Sequence, residues 1–117
     1  KIVNKIFLEY KEKLMIGWST HPAIKGYFFG NITAHGISKR QSVLEIVDMY
    51  KVKVEEMLGV GDSLTDWDFI GVCGFAGAMG NAVDDLKKLV LTKGSNGYVG
   101  KSVDENGILD IFEHFGL

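Results

Sequence analysis

Apolar side chains recur at Ile2, Val3, Ile6, Phe7, Tyr10 and Leu14, while Lys5, Glu9, Lys11 and Glu12 occupy the opposite positions. That spacing predicts an amphipathic helix over residues 2–14. The pattern then changes. Met15 to Trp18 is a short apolar run and a strand candidate, and Ser19-Thr20-His21-Pro22, with the only proline, predicts a turn. Gly26 to Thr33 is aromatic-rich and β-like. Helical periodicity returns at Val43, Leu44, Ile46, Val47 and Tyr50. Ser38 followed three residues later by Gln41 is a capping-box signature, so this helix is expected to begin at Ser38, with Lys39 in its first turn.

The second half has a different rhythm. Strands are expected at Met57–Gly61, Phe75–Met79 and Leu89–Thr92. Helices are expected at Leu64–Val72, Ala82–Lys88 and at the end of Val103–Phe115. Alternation of this kind predicts an α/β fold with a parallel sheet and flanking helices. Gly71, Gly74, Gly77 and Gly80 recur every three residues. No Lys-Ser or Lys-Thr follows them, so they read as tight turns between elements and not as a nucleotide loop. No strong repeat or low-complexity tract is present. A domain boundary is expected near Thr33 to Gly36.

Composition narrows the class. The chain has 117 residues, 46% hydrophobic and 24% charged, enough for one small domain with a core. A net charge of −2 without a Lys/Arg run argues against nucleic acid or an anionic membrane surface as partner. No apolar stretch is long enough to span a bilayer, and residues 1–7 do not read as a signal peptide. The single cysteine, Cys73, rules out an internal disulfide. It reads as a small core residue, with a reduced cytoplasm as the expected setting.

Gly61-Asp62-Ser63-Leu64-Thr65-Asp66 follows the apolar run Met57–Val60 and is the strongest candidate for chemistry. It puts Asp62 at the carboxyl end of a buried strand and Asp66 near the next helix, at the edge where open α/β sheets bind ligands. Two carboxylates there suit a hard cation such as magnesium. Asp66 could instead be an amino-terminal cap, and Asp68 reads as a solvated or capping residue. Lys39 combines an ammonium with the free amides of a helix start, which suits a phosphate if it faces the same edge as Asp62. Asn81, in Ala78-Met79-Gly80-Asn81-Ala82, is expected to cap the next helix or to contact a ligand at that edge. His21, His35 and His114 lack ligand spacing, and Ser63 lacks a hydrolase elbow. Trp18, Tyr27, Phe28 and Phe29 read as packing residues of a small sheet, with a substrate pocket as the alternative.

In this order, these stretches resemble the carboxyl-terminal half of haloacid dehalogenase-like (HAD) phosphatases, most closely the Cof-like branch with a large α+β cap. The matching segments are His35-Gly36-Ile37-Ser38-Lys39, Val60–Asp66 and Ala78–Ala82, followed by Thr92-Lys93 and Asp104-Glu105-Asn106-Gly107-Ile108. The resemblance implies a partial Rossmannoid parallel sheet over residues 34–117, preceded by a remnant of the α+β cap over 1–33. It implies that Lys39 steadies the phosphoryl group and the nucleophile, that Asp62 binds Mg2+, that Asp66 supports the metal or its water, and that Asn81 orients the phosphate side. It further implies hydrolysis of a small phosphorylated metabolite through an aspartyl-phosphate, in which magnesium and lysine neutralise the transferring group.

Two departures qualify it. Thr65 stands where many relatives have Asn, a change expected to loosen the acidic loop's hydrogen bonding. No Asp-x-Asp follows an apolar strand, the position from which the family takes its nucleophile. The chain is therefore expected to be a piece of a longer enzyme, inactive alone. The alternative is a non-catalytic module that pairs with itself or with another chain through exposed core surface. A nucleotide-binding Rossmann module ranks last, since no fingerprint follows a first strand.

Overall fold

A computed structural model describes residues 2–21 and 24–117. The chain divides into two compact units, Lys1–Ile37 and Ser38–Leu117. The first contains helix α1 (Ile2–Tyr10) and an antiparallel hairpin of β1 (Leu14–His21) and β2 (Ile24–Ala34). Leu14 pairs with Ala34, Ile16 with Ile32 and Trp18 with Gly30. The Trp18 ring lies over Gly30, where a Cβ would come within 3.0 Å of it. Tyr27 and Phe28 are exposed. Ser19 to His21, expected to lie in a turn, belong to β1 instead, with a register shift between Ser19 and His21. Pro22 lies outside the described residues.

The second unit opens with α2 (Lys39–Tyr50). Ser38 is its N-cap and accepts from the Gln41 amide at 3.1 Å. Only this half of the expected capping box forms, because the Gln41 side chain turns to Glu45. A parallel sheet follows in the order β3–β4–β5, from β3 (Leu58–Gly61), β4 (Phe75–Ala78) and β5 (Gly97–Val99). Between the strands lie α3 (Trp67–Ile70), entered through a 3-10 turn at Leu64–Asp66, and α4 (Asp84–Leu91). Helix α5 (Gly107–Phe115) closes the chain.

Strand alternation sorts the two faces of this sheet. Ala76 and Ala78 of β4 cluster with Ile70, Ala82, Leu86 and Val90, all buried. Gly59 of β3 faces the same way, and a Cβ there would meet the Ile70 Cα at 3.0 Å. Gly77 faces the other way, towards Ile111 of α5 and Val60. Helices thus cover both faces of a parallel sheet.

The strand expected at Leu89–Thr92 is instead the last turn of α4. Leu86 and Val90, four apart, both point into the core, which is helical spacing. The third strand is Gly97-Tyr98-Val99, too short to show alternation. None of Gly71, Gly74, Gly77 or Gly80 has a positive φ. These positions serve close approach and not sharp turning: a Cβ at Gly74 would sit 1.9 Å from the Glu55 carbonyl oxygen.

Candidate functional site

The sheet's carboxyl edge is built from the ends of β3 and β4. β3 ends at Gly61, and the chain folds back so that Asp66 lies against it. A Cβ on Gly61 would be 2.5 Å from that of Asp66, so glycine here makes room for a carboxylate. Asp66 is 7% exposed. Its Oδ2 accepts from the Ser63 hydroxyl at 2.8 Å, the Ser63 amide at 3.0 Å and the Asp62 amide at 3.2 Å. Its Oδ1 pairs with the Lys39 ammonium, which comes from the first turn of α2. Burial alone would raise the Asp66 carboxyl. Lys39, then the Ser63 amide and hydroxyl and the Asp62 amide, outweigh it and hold the group below its ordinary value.

Lys39 therefore reaches the same edge as Asp62, the condition under which it gained significance. Its side chain stays 60% exposed, leaving N–H donors for a further partner. The helix amides do not join it. The Arg40 amide donates to Asp68 Oδ2 at 3.2 Å, and the Gln41 amide is capped by Ser38. Asp68, expected to be solvated or to cap its own turn, thus caps α2. What Lys39 offers is its ammonium, above a cleft of about 310 Å³ that it lines with Ser42, Val43 and Phe69.

Asp62 is exposed, and its carboxylate forms no hydrogen bond or ion pair among the described residues. It is the carboxylate open to a cation. Asp66 is buried, and both its oxygens accept hydrogen bonds. Among the described residues no three His, Cys, Asp or Glu side chains converge. The donor set thus fits a magnesium ion in one respect only, a single free carboxylate, with phosphate and water completing the shell as that cation usually requires.

Asn81 is placed differently from expectation. Val83 holds the N-cap position of α4 with no side-chain cap, and the Asn81 Oδ1 accepts from the Val103 amide at 2.9 Å. The Gly80 amide donates to Lys101 at 2.8 Å, fastening the same turn to the segment before α5. The Asn81 oxygen is thus committed, and its NH2 has no hydrogen-bond partner among the described residues. Backbone contacts link this turn to the acidic loop, since the Asp62 carbonyl accepts from the Val83 amide at 3.0 Å.

One residue gained a role that sequence reading missed. Lys93 donates to the carbonyls of Gly71 and Cys73 at 3.3 and 2.6 Å and lies 5.9 Å from the Trp67 ring centroid, clasping α3 from behind. Nothing in the local pattern marks a lysine as reaching back 22 residues. Thr65, singled out in the sequence as a departure within this loop, places its hydroxyl 2.9 Å from that of Ser63. Cys73 is the core residue expected. Burial raises its thiol and the Lys93 ammonium offsets this only in part.

The second unit is thus a parallel sheet with a carboxylate-and-lysine cluster at its carboxyl edge. Residues 3–112 match the haloacid dehalogenase-like hydrolases, and the chain belongs to that family. It is 31% identical over 87 residues to the putative phosphatase YkrA of Bacillus subtilis, covering 74% of this chain and 32% of that one. It is 28% identical over 115 residues to phosphatase YwpJ of the same organism, covering 92% and 38%. Among solved structures, the HAD subclass IIB sugar phosphatase BT4131 superposes with a TM-score of 0.71 at 27% identity, over 97% of this chain and 39% of that one. A haloacid dehalogenase-like hydrolase from Bacteroides thetaiotaomicron shares the fold with a TM-score of 0.76, at 24% identity and over 96% and 38%. The chain thus spans about a third of the length of the curated relatives it matches.

Proposed function

We propose that this chain carries the metal- and phosphate-binding part of a magnesium-dependent phosphomonoester hydrolase, acting on a small phosphorylated metabolite in the cytoplasm. The observation that carries the reading is the open carboxylate of Asp62 beside the Lys39–Asp66 pair at the end of β3. Family membership and the phosphatase relatives support it. Asp62 would hold the magnesium ion, which when bound screens the charge of the transferring phosphoryl group. Asp66 would hold the Lys39 ammonium in place, and the free donors of Lys39 and Asn81 would meet phosphoryl oxygens. The sequence has no Asp-x-Asp at a strand end, so the aspartyl nucleophile would lie on residues of a longer protein.

The test is hydrolysis of p-nitrophenyl phosphate with magnesium. The 117-residue chain is expected to show no turnover. A longer parent protein with an upstream Asp-x-Asp is expected to be active, and Asp62→Ala or Lys39→Ala should lower its kcat at least about a hundredfold. Turnover by this chain that disappears in Asp62→Ala would place a nucleophile within it and overturn the division of labour. One observation favours pairing with another chain as a second reading: β3 has a strand neighbour on only one side among the described residues. Light scattering across a concentration series separates the two, a concentration-independent monomer counting against pairing.

A further inference from the structure

The Lys39–Asp66 pair leans on the Ser63 hydroxyl, and that hydroxyl has a second neighbour. Ser63 Oγ lies 2.8 Å from Asp66 Oδ2 and 2.9 Å from Thr65 Oγ1. The Asp66 oxygens, paired with an ammonium and with two backbone amides, only accept. A serine hydroxyl has one hydrogen, and this one goes to Asp66. In its contact with Thr65 the Ser63 oxygen must therefore accept, and Thr65 must donate.

We propose that Thr65 is a positioning residue for the Lys39–Asp66 pair. Its hydroxyl fixes the rotation of the Ser63 hydroxyl. Ser63 then stays a donor to Asp66 Oδ2, and Oδ1 stays turned to Lys39. Thr65 donates to Ser63 and Ser63 donates to Asp66 Oδ2, the first bond polarising the second, while Lys39 donates to Oδ1, so the first place in this order is that of Thr65 and the carboxylate is where the two directions meet. A β-branched side chain suits the first place, because its χ1 is restricted and its hydroxyl stays where it is set. The exposed position of Thr65 gives it no part in the core, so its contribution runs through the hydroxyl. Its relevance to catalysis rests on the phosphatase reading; the hydrogen-bond order does not.

The experiment observes the Lys39 ammonium by nitrogen-15 NMR in the 117-residue chain, through its coupling to the Asp66 carboxylate and its exchange with water. Thr65→Val keeps the shape and removes the donor. It should weaken the coupling and speed ammonium exchange about fivefold, the factor that one neutral hydrogen bond is worth. Thr65→Ser should restore both. In a Ser63→Ala background, adding Thr65→Val should change nothing further. The proposal fails if Thr65→Val matches wild type, if serine does not rescue it, or if its effect persists without Ser63. The unaltered chain offers a check free of folding effects: the Thr65 hydroxyl proton should exchange slowly enough to be seen in the cold, and its rapid exchange would also overturn the proposal. None of these readings depends on turnover, so a parent that proves not to be a phosphatase would leave them intact.

Discussion

Asp66 is a carboxylate set under the surface with four donors aimed at it, and charge decides its worth. Its carboxyl is more acidic in the folded chain than in the unfolded one, because Lys39, Ser63 and the Asp62 amide outweigh the cost of burial. On acidification the unfolded state takes the proton first. The stabilisation is complete above the unfolded carboxyl value, about 3.9, and is lost as pH falls through the lower folded value. Asp66→Asn, of the same shape but uncharged, turns an NH2 group or a weaker acceptor towards those donors. It should cost about 1–3 kcal/mol at neutral pH. Urea midpoints measured from neutral to strongly acid solution should show the gap from wild type narrowing below the ordinary carboxylate range. A gap that stays constant would mean that shape, not charge, stabilises the loop.

Between elements, glycines act for two separable reasons. A Cβ at Gly74 would lie 1.9 Å from the Glu55 carbonyl oxygen, so Gly74→Ala must push backbone aside. Gly94 has φ +61° and nothing within 4 Å of a Cβ, so Gly94→Ala strains only its own backbone. Thermal unfolding should rank the first at about 1–3 kcal/mol or more and the second nearer about 1 kcal/mol. Asn at position 94, which tolerates the left-handed region, should recover part of that loss. A Gly94→Ala loss equal to that of Gly74→Ala would remove the distinction. The same contrast explains what was legible in the chain. The β3–Asp62 turn and the Ser38 cap are local, and their residues announce them. The third strand was missed because Leu89-Val90-Leu91 looks like a buried strand when read alone; only the pairing of Val90 with Leu86 four residues earlier reveals a helix. The site was legible as residue types and not as roles. Which oxygen of Asp66 meets Lys39, 27 residues away, and which amide receives the Asn81 oxygen are set by tertiary packing.

At the scale of the whole chain, the buried apolar side chains among the described residues run from Ile70 to Ile111, all in the second unit. The Lys1–Ile37 unit offers a two-stranded hairpin and one helix, with Trp18, Tyr27 and Phe28 well exposed. A lone hairpin is marginal in water, whereas β4 is hydrogen-bonded on both sides and covered on both faces. Amide exchange should therefore separate into two classes. Amides of β4 should open only with global unfolding, and those of β1 and β2 should exchange orders of magnitude faster through local opening. Exchange followed by NMR in dilute solution checks this residue by residue. Hairpin amides protected as strongly as those of β4 would contradict it. Protection that appears only as concentration rises would instead identify the hairpin's apolar surface as covered by a second copy, and would give the pairing reading a location.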